Sequence, residues 1–525
     1  MKANLKHILF NPLIITGLLL FLLCAVVQQS YLLILTAAQL ILIPVMLLLI
    51  GKLTAWETGL SMLSMLSVFL LYLSLPPMAE VLFSFIYLLF TIMVAWKGVR
   101  RFFQRGFTNW GEIAIDTGMV YLFVGGIWFF AYTTGINTGF SSLLTWLTAI
   151  HFHYSAFLFP VFLGYFGRIH SSSLYSVVVP LVLAGPLLVA AGITFWPLLE
   201  FLSSIIYILA IYCIAFLVWR TRFPSKFQAV LIRTSFTSLC ITILFSLAYA
   251  ASSAFQLFSV SIGTMMIFHG LLNCVGFGVL GVIGWVLLPP AGSKKFTFPV
   301  SKIRGKLLVT EGPASGLVDD MSLFVKEKNL PQTIIDFYEK TPNYHLRASV
   351  KWAVWFYPFA LLYKMISKRT QQINLPLSSD PVVMTGELLA VNAETDGRVK
   401  PRAWVRKVND ETVFTAIYSY HEAEGQILMN IALPLPWSTM TGILRLHSEN
   451  GALILSSTGE GDAGIYLAAG TSLFQLPLSE KFVIQEVKPG TLSALHMMKI
   501  LGLVFLRVNY SISHIEQKQI ERVPS

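Results

Sequence analysis

Two histidines stand where a membrane helix would carry only hydrocarbon. In LTAIHFHYSAFLFPVFLGYFGR, residues 147–168, His151 and His153 interrupt an otherwise apolar run. Imidazole at such a place relays a proton, contacts a polar substrate, ligates a metal or haem, or simply sits hydrogen-bonded in a structural role. Spacing narrows the choice. A helix turns about 100° per residue, so the rings project roughly 200° apart and do not chelate one ion from a regular helix. His151 shares its face with Tyr154 and Ser155, and His153 shares one with Phe157. Pro160 has no N–H and leaves the carbonyl of Ala156 without its helical partner, so a kink is expected just after the pair. A helix broken there would let the rings converge, and transporters build sites at broken helices near mid-membrane.

Two other pairs share a face at a spacing of four. His269 and Asn273 lie in the last apolar segment, at a depth that would let them join His151 and His153 in one polar pocket if the segments are neighbours. Glu112 and Asp116 open an earlier segment after Arg100, Arg101 and Arg105. Acids at a helix start complement its positive dipole end. The alternative is proton coupling, with Asp116 the deeper candidate.

These residues are positioned by a strongly apolar region. The chain is 55% hydrophobic and 12% charged, against about 25% charged in soluble domains. Only 12 of the 37 basic and 5 of the 26 acidic residues precede position 291. Spanning helices of about 20 residues are expected in 8–27, 31–51, 58–75, 80–97, 112–134, 143–166, 174–194, 199–219, 230–250 and 264–288. The first is taken as an uncleaved helix rather than a signal peptide. The connections alternate: LPPMAE, TGINTGFSS and TFWPLLE have no Lys or Arg, whereas WKGVRRFFQRG, YFGRIH and WRTRFPSK are basic. By the positive-inside rule, both termini of a ten-helix bundle are cytoplasmic. The net charge of +11 is then a property of the membrane-facing side, not of a nucleic-acid binder. Cys24, Cys213, Cys240 and Cys274 are spread through apolar segments and imply neither disulfide nor zinc site. Gly125-Gly126 and Gly185-Pro186 interrupt two helices. Gly270, Cys274, Gly278 and Gly281 make a small-residue stripe suited to close packing.

The blocks AIHFHYSAFLFPVFLG and FHGLLNCVGFGVLG resemble the YndJ-like family of bacterial integral membrane proteins. The resemblance covers the membrane half. It implies a bacterial cytoplasmic membrane origin and assigns no catalytic residue, although some members carry a loose transporter label.

After residue 288 the composition becomes that of a soluble domain. Residues 289–314 read as a Pro- and Lys-rich linker. Residues 315–381 read as a helical and membrane-interface segment, with short helices near 315–329 and 331–341. Its aromatic, Lys-flanked run KWAVWFYPFALLYKMISKR is too short to span and is suited to the bilayer interface or to a buried core helix. Residues 382–525 read as a β-rich cytoplasmic domain, an antiparallel sandwich or barrel whose apolar interior would permit a lipid. The strand segments are VVMTGELLAV, TVFTAIYSYH, GQILMNIALPLP, GILRLHS, GALILSST, EKFVIQEV and VFLRVNYSI, with NAETDGRVKPR and TGEGDAG as breaks. Gly459, Gly461 and Gly464 fit GxGxxG but lack a following helix, so a hairpin turn is expected.

The fold class is therefore a polytopic α-helical membrane protein followed by an α+β, mainly antiparallel-β cytoplasmic domain. No GxxxxGK[ST], HExxH, GxSxG or CxxC is present, and His345, His421, His447 and His496 have no metal-ligand spacing. No cofactor is named by these residues. Three functions fit: a secondary-transporter-like carrier of a small molecule or lipid, which is preferred; a membrane enzyme or metal- or haem-binding protein using the histidines; and a sensor or scaffold contacting lipid through its β domain.

Overall fold

Asn11 and Thr54 start two helices by the same device. The Asn11 side chain accepts the N–H of Leu13, with Pro12 at the first helical position. Thr54 and Glu57 exchange side-chain and backbone hydrogen bonds as a capping box, which satisfies N–H groups that have no partner inside the helix. The computed structural model describes residues 8, 10–256, 261–292, 296, 298–305, 310–325, 330–459, 461–470 and 472–515. Within it the chain divides into two compact units, Met1–Phe103 with Thr108–Lys294, and Gln104–Phe107 with Lys295–Ser525.

The first unit contains α1 (Pro12–Val27), α2 (Leu33–Ile50), α3 (Ala55–Leu70), α4 (Pro77–Arg105), α5 (Trp110–Thr134), α6 (Ser142–Gly167), α7 (Ser173–Phe195), α8 (Pro197–Arg220), α9 (Lys226–Phe255) and α10 (Met265–Leu287). Apolar helices thus occupy all ten expected positions. Among the described residues eight are long and apolar enough to cross a membrane, while α1 and α3 have 16 residues each.

Three helices contain widened π turns, at Ala38–Leu42 in α2, Tyr154–Leu158 in α6, and Met265–Leu271 and Asn273–Val279 in α10. In α2 and α6 the cause is legible. The N–H of Ile43 reaches Ala38 O, the N–H of Phe159 reaches Tyr154 O, and the next residue in each case is a proline. Proline removes a donor and crowds the carbonyl four residues back, and an i→i+5 turn relieves both.

The second unit is a closed barrel. Its strands are β1 (Thr310–Pro313), β2 (Tyr344–Trp352), β3 (Val382–Val391), β4 (Val399–Val408), β5 (Glu411–Ala423), β6 (Gln426–Pro434), β7 (Thr439–Glu449), β8 (Ala452–Ser456), β9 (Gly464–Ala469), β10 (Ser472–Gln475), β11 (Leu478–Lys488), β12 (Thr491–Ile500) and β13 (Leu503–His514). The order β7-β6-β5-β4-β3-β2-β13-β12-β11-β8 closes because β8 pairs back onto β7. The first half of β7 pairs instead with β9, which carries β10 on its other side. Alternate residues fill the interior, among them Ala348, Val350, Leu444, Leu492 and Val508, together with Ile334 and Phe337 of α11 (Gln332–Glu339).

Several sequence expectations change here. The expected linker is not solvated: Phe298 packs with Leu428, Ile443 and Tyr466, and Ile303 packs with Val391, Ala403, Ile417 and Ala432. These covering residues lie on the outer face of the sheet. The segment 315–381 contributes β2, a full barrel strand between β13 and β3. The expected helix near 315–329 is a single 3-10 turn at Met321–Leu323, and residues 326–329 lie outside the described ones. The break NAETDGRVKPR already contains the start of β4. Gly459 and Gly461 do form a turn with positive φ, but it links β8 to β9, which are not paired with each other, so it is not a hairpin. Glu460 in that motif lies outside the described residues.

KWAVWFYPFALLYKMISKR supplies the end of β2, a 3-10 turn and α12 (Tyr357–Thr370). Ala360 and Ser367 face inward, whereas Val354, Phe359, Leu362, Met365 and Ile366 are exposed. It is not a buried core helix.

The covering segment is fastened by a buried ion pair. Arg398 and Asp396 are both fully buried, with Nε 2.6 Å from Oδ2. The remaining donors of Arg398 go to Asn430 and to the carbonyl of Ile417. Ser301 donates to Asp396, and Asn430 donates to Pro299 O. Breaking one partner of such a pair strands a charge, so Arg398→Ala is expected to destabilise this unit by about 3–5 kcal/mol. Denaturant unfolding of the full chain, followed by tryptophan fluorescence, measures it; a loss below about 1 kcal/mol would show that the covering segment is held otherwise.

Candidate functional site

The two histidines of α6 part company. His153 is wholly buried: its Nε2 meets Tyr87 Oη of α4 at 2.7 Å, and its Nδ1 meets Ala149 O at 2.7 Å. Both nitrogens are therefore used inside the protein. The space for its ring is made by α5. Gly111, Gly118 and Gly125 recur every seven residues and let α6 come close. A Cβ at each would lie 3.0 Å from Gly164 O, 3.0 Å from Phe157 O and 2.8 Å from His153 Nδ1, respectively. Gly126 faces the other way, against Thr91 of α4.

His151 points elsewhere. Its Nδ1 pairs with Leu147 O at 2.7 Å, which places the proton on Nδ1 and leaves Nε2 as an acceptor. The ring lies 6.2 Å, centroid to centroid, from that of His269. His269 is fixed by its Nδ1 on Thr242 O at 2.8 Å and by Asn273 Nδ2, 3.3 Å from its Nε2. Asn273 is oriented in turn by the Thr242 hydroxyl, 2.7 Å from its Oδ1. The structure thus brings His151, His269 and Asn273 together and leaves His153 out. The convergence comes from two neighbouring helices, not from bending one.

These three residues line a cavity of about 260 Å3 within the helical unit, walled mainly by α6, α7, α8, α9 and α10, with Ile34 of α2 and Trp128 of α5. Tyr154, the residue at which the α6 turn widens, also lines it, and its hydroxyl donates to Ile34 O and to Cys274 Sγ. The stripe Gly270, Cys274, Gly278 and Gly281 is packing surface: its members face Ile34 and Leu42 of α2 and Tyr154 and Phe162 of α6. Sequence reasoning missed Glu200, Ser204, Tyr207 and Tyr249, which also line the cavity. Glu200 was passed over because it stands at the very start of the expected helix 199–219, where TFWPLLE reads as a connection. Pro197 in fact begins α8 directly, which puts Glu200 in its first turn, buried. Among the described residues no group of three or more His, Cys, Asp or Glu side chains is placed to hold a metal ion.

Glu112 and Asp116 lie toward the other end of the unit, away from this cavity. Arg101 spans both carboxylates, at 3.0 Å and 2.9 Å, and Arg168 grips Glu112 at 2.7 Å. Arg101 also donates to Ile50 O and Arg168 to Pro290 O. Two buried acids are matched by two guanidinium groups, an arrangement that a structural clamp accounts for.

Comparison with known proteins bears on both blocks. The profile of the YndJ-like protein family matches residues 33–277. The chain is also 39% identical over 466 residues to the uncharacterized membrane protein YndJ of Bacillus subtilis (strain 168), covering 84% of this chain and 85% of that one. The chain belongs to the YndJ-like family. It is therefore a membrane protein, and the resemblance expected from the two histidine blocks is confirmed over a longer span. The YndJ-like match runs from α2 into α10 and so includes every cavity residue named above. The likeness to YndJ extends beyond that match, since 466 aligned residues exceed the helical unit. No solved structure matches the chain.

A direct test of the α5–α6 contact follows. Gly125→Ala drives a methyl group into the His153 ring and should cost about 1–3 kcal/mol, read as a lower thermal midpoint in detergent. Gly59→Ala, at a helical site with open space, should leave the midpoint unchanged or raise it slightly. Equal effects at the two positions would remove the steric argument.

Proposed function

We propose that this protein is a membrane carrier that takes a small, mainly apolar molecule with a polar end into the cavity beside His151 and His269. The observation that carries the proposal is the cavity itself, in which a free imidazole acceptor faces a second, rigidly hydrogen-bonded imidazole. Ligand sites are mostly apolar pockets with a few convergent polar groups. The widened turns of α6 and α10 lie beside it, and π turns often mark functional sites. Pro186, inside α7, is a further lining residue and a bending point. An enzyme of the metal- or haem-dependent kind has less support, because two histidines and an amide are a small ligand set.

Mass spectrometry of small molecules that copurify with the full chain tests the proposal. Wild type should carry a bound molecule that His151→Leu loses, while Thr148→Ser, a milder change at the same wall, retains it. Identical contents in wild type and His151→Leu would sink the carrier proposal at this site.

We also propose that both termini and the barrel unit lie in the cytoplasm, and that α12 lies along the membrane surface. The basic loops support the first part. The apolar exposed face of α12, bordered by Lys368 and Arg369, supports the second. In intact cells Ile136→Cys should react with an impermeant maleimide and Arg222→Cys only after permeabilisation. Met365→Cys, although exposed on its own unit, should stay protected until detergent is added. The reverse pattern at 136 and 222 would invert the topology, and free reaction at 365 after permeabilisation alone would detach α12 from the bilayer.

A further inference from the structure

Glu200 sets the charge of the cavity. It is 5% exposed and lines the cavity wall. Among the described residues no Lys or Arg lines the same cavity, and no ion pair engages Glu200. Among the described residues, three of the four other acids of the helical unit are met by a cation: Glu57 by Lys97, Glu112 by Arg101 and Arg168, and Asp116 by Arg101; the fourth, Glu80, is only half-buried. Among the described residues, the hydroxyl of Ser253 lies close enough to favour the charged form of the Glu200 carboxyl. A buried carboxylate with no counter-charge is costly to keep in an apolar surround, and a cation entering the cavity would repay that cost.

The rest of the wall has matching chemistry. His151 presents an acceptor nitrogen, since its proton is committed to Leu147 O. The His269 nitrogens are both occupied within the protein. Nine aromatic side chains line the cavity, including Trp128, Trp146, Tyr207 and Tyr249, and aromatic faces attract a desolvated cation within about 6 Å. Beside hydroxyls such as Ser155, Ser204 and Tyr249, which donate or accept, the described wall has ring faces, one carboxylate and no fixed positive charge, a balance that favours a cation over an anion.

We propose that the ligand of this cavity is a lipophilic organic cation, an amine or quaternary centre on an apolar body, with Glu200 as its counter-ion. The proposal rests on the cavity being a ligand site, so the test separates the two. Tetraphenylphosphonium and tetraphenylborate have the same shape and opposite charge. Their equilibrium binding to the full chain in lipid nanodiscs is measured against empty nanodiscs of the same composition.

Wild type should bind the phosphonium at least about tenfold more tightly than the borate. Glu200→Gln should lose about tenfold or more in phosphonium affinity, the scale expected when one member of a desolvated charge pair is removed. Glu200→Asp, which keeps the charge, should retain a preference for the cation. Ser204→Trp, which fills the cavity, should abolish binding of the phosphonium. If both ions bind saturably with equal affinity and Glu200→Gln changes neither, the site stands and cation selection is overturned. If neither ion binds saturably, or Ser204→Trp leaves binding intact, the cavity is not the ligand site and both proposals fall.

Discussion

A four-residue charge clamp holds the helical unit together where its helices would otherwise have only weak reasons to associate. Lipid tails are as apolar as leucine, so helices gain little from hiding apolar surface from one another. Arg101 on α4, Glu112 and Asp116 on α5 and Arg168 at the end of α6 are nearly buried and satisfy one another. Their spare donors reach Ile50 at the end of α2 and Pro290 just past α10. Five helices are thus registered at one level. Each charge is costly without its partner, so the clamp is worth more as a specifier of arrangement than as net stability.

The consequences run along α6. With Arg168 fixed, glycines of α5 set how near the helix lies, and their seven-residue repeat keeps contact over two turns at a time. Past Pro160 the helix widens, and on the far side of that wide turn His151 and His153 are committed to different environments. One ring becomes internal structure and the other becomes cavity wall. The same residue type two positions apart therefore serves two purposes, decided by neighbours rather than by chemistry.

Helix positions were legible in the sequence because a run of apolar residues between polar caps has few other outcomes. The His269–Asn273 pair was legible because residues four apart share a face. The clamp was half legible: Glu112 and Asp116 stood out, but Arg168 is 56 residues from Glu112, and pairing over that distance leaves no local trace. His151 and His269 meet for the same non-local reason. Glu200 was passed over at the edge of the expected helix 199–219, beside a connection that is almost absent, since Trp196 alone separates α7 from α8. In the barrel, β4 was obscured by Pro401 and by a register shift between Val399 and Arg402, which together break the alternation that marks a strand. The covering segment looked like a linker because its prolines and lysines are typical of one. Only the outer-face residues Val391, Ala403, Ile417 and Ala432 reveal that it is needed.

The wide turn of α6 also has a kinematic meaning. It holds one residue more than a regular turn, so converting it to α geometry would rotate everything beyond it by about 100° and shift it by about 1.5 Å. One end of the helix is pinned through Arg168 and the proline side is packed against α5. Any such motion would therefore be delivered to residues 142–153, the half that carries His151. α10 has two wide turns flanking Leu272, between His269 and Asn273. The two helices that present imidazole to the cavity thus both have slack to turn it away.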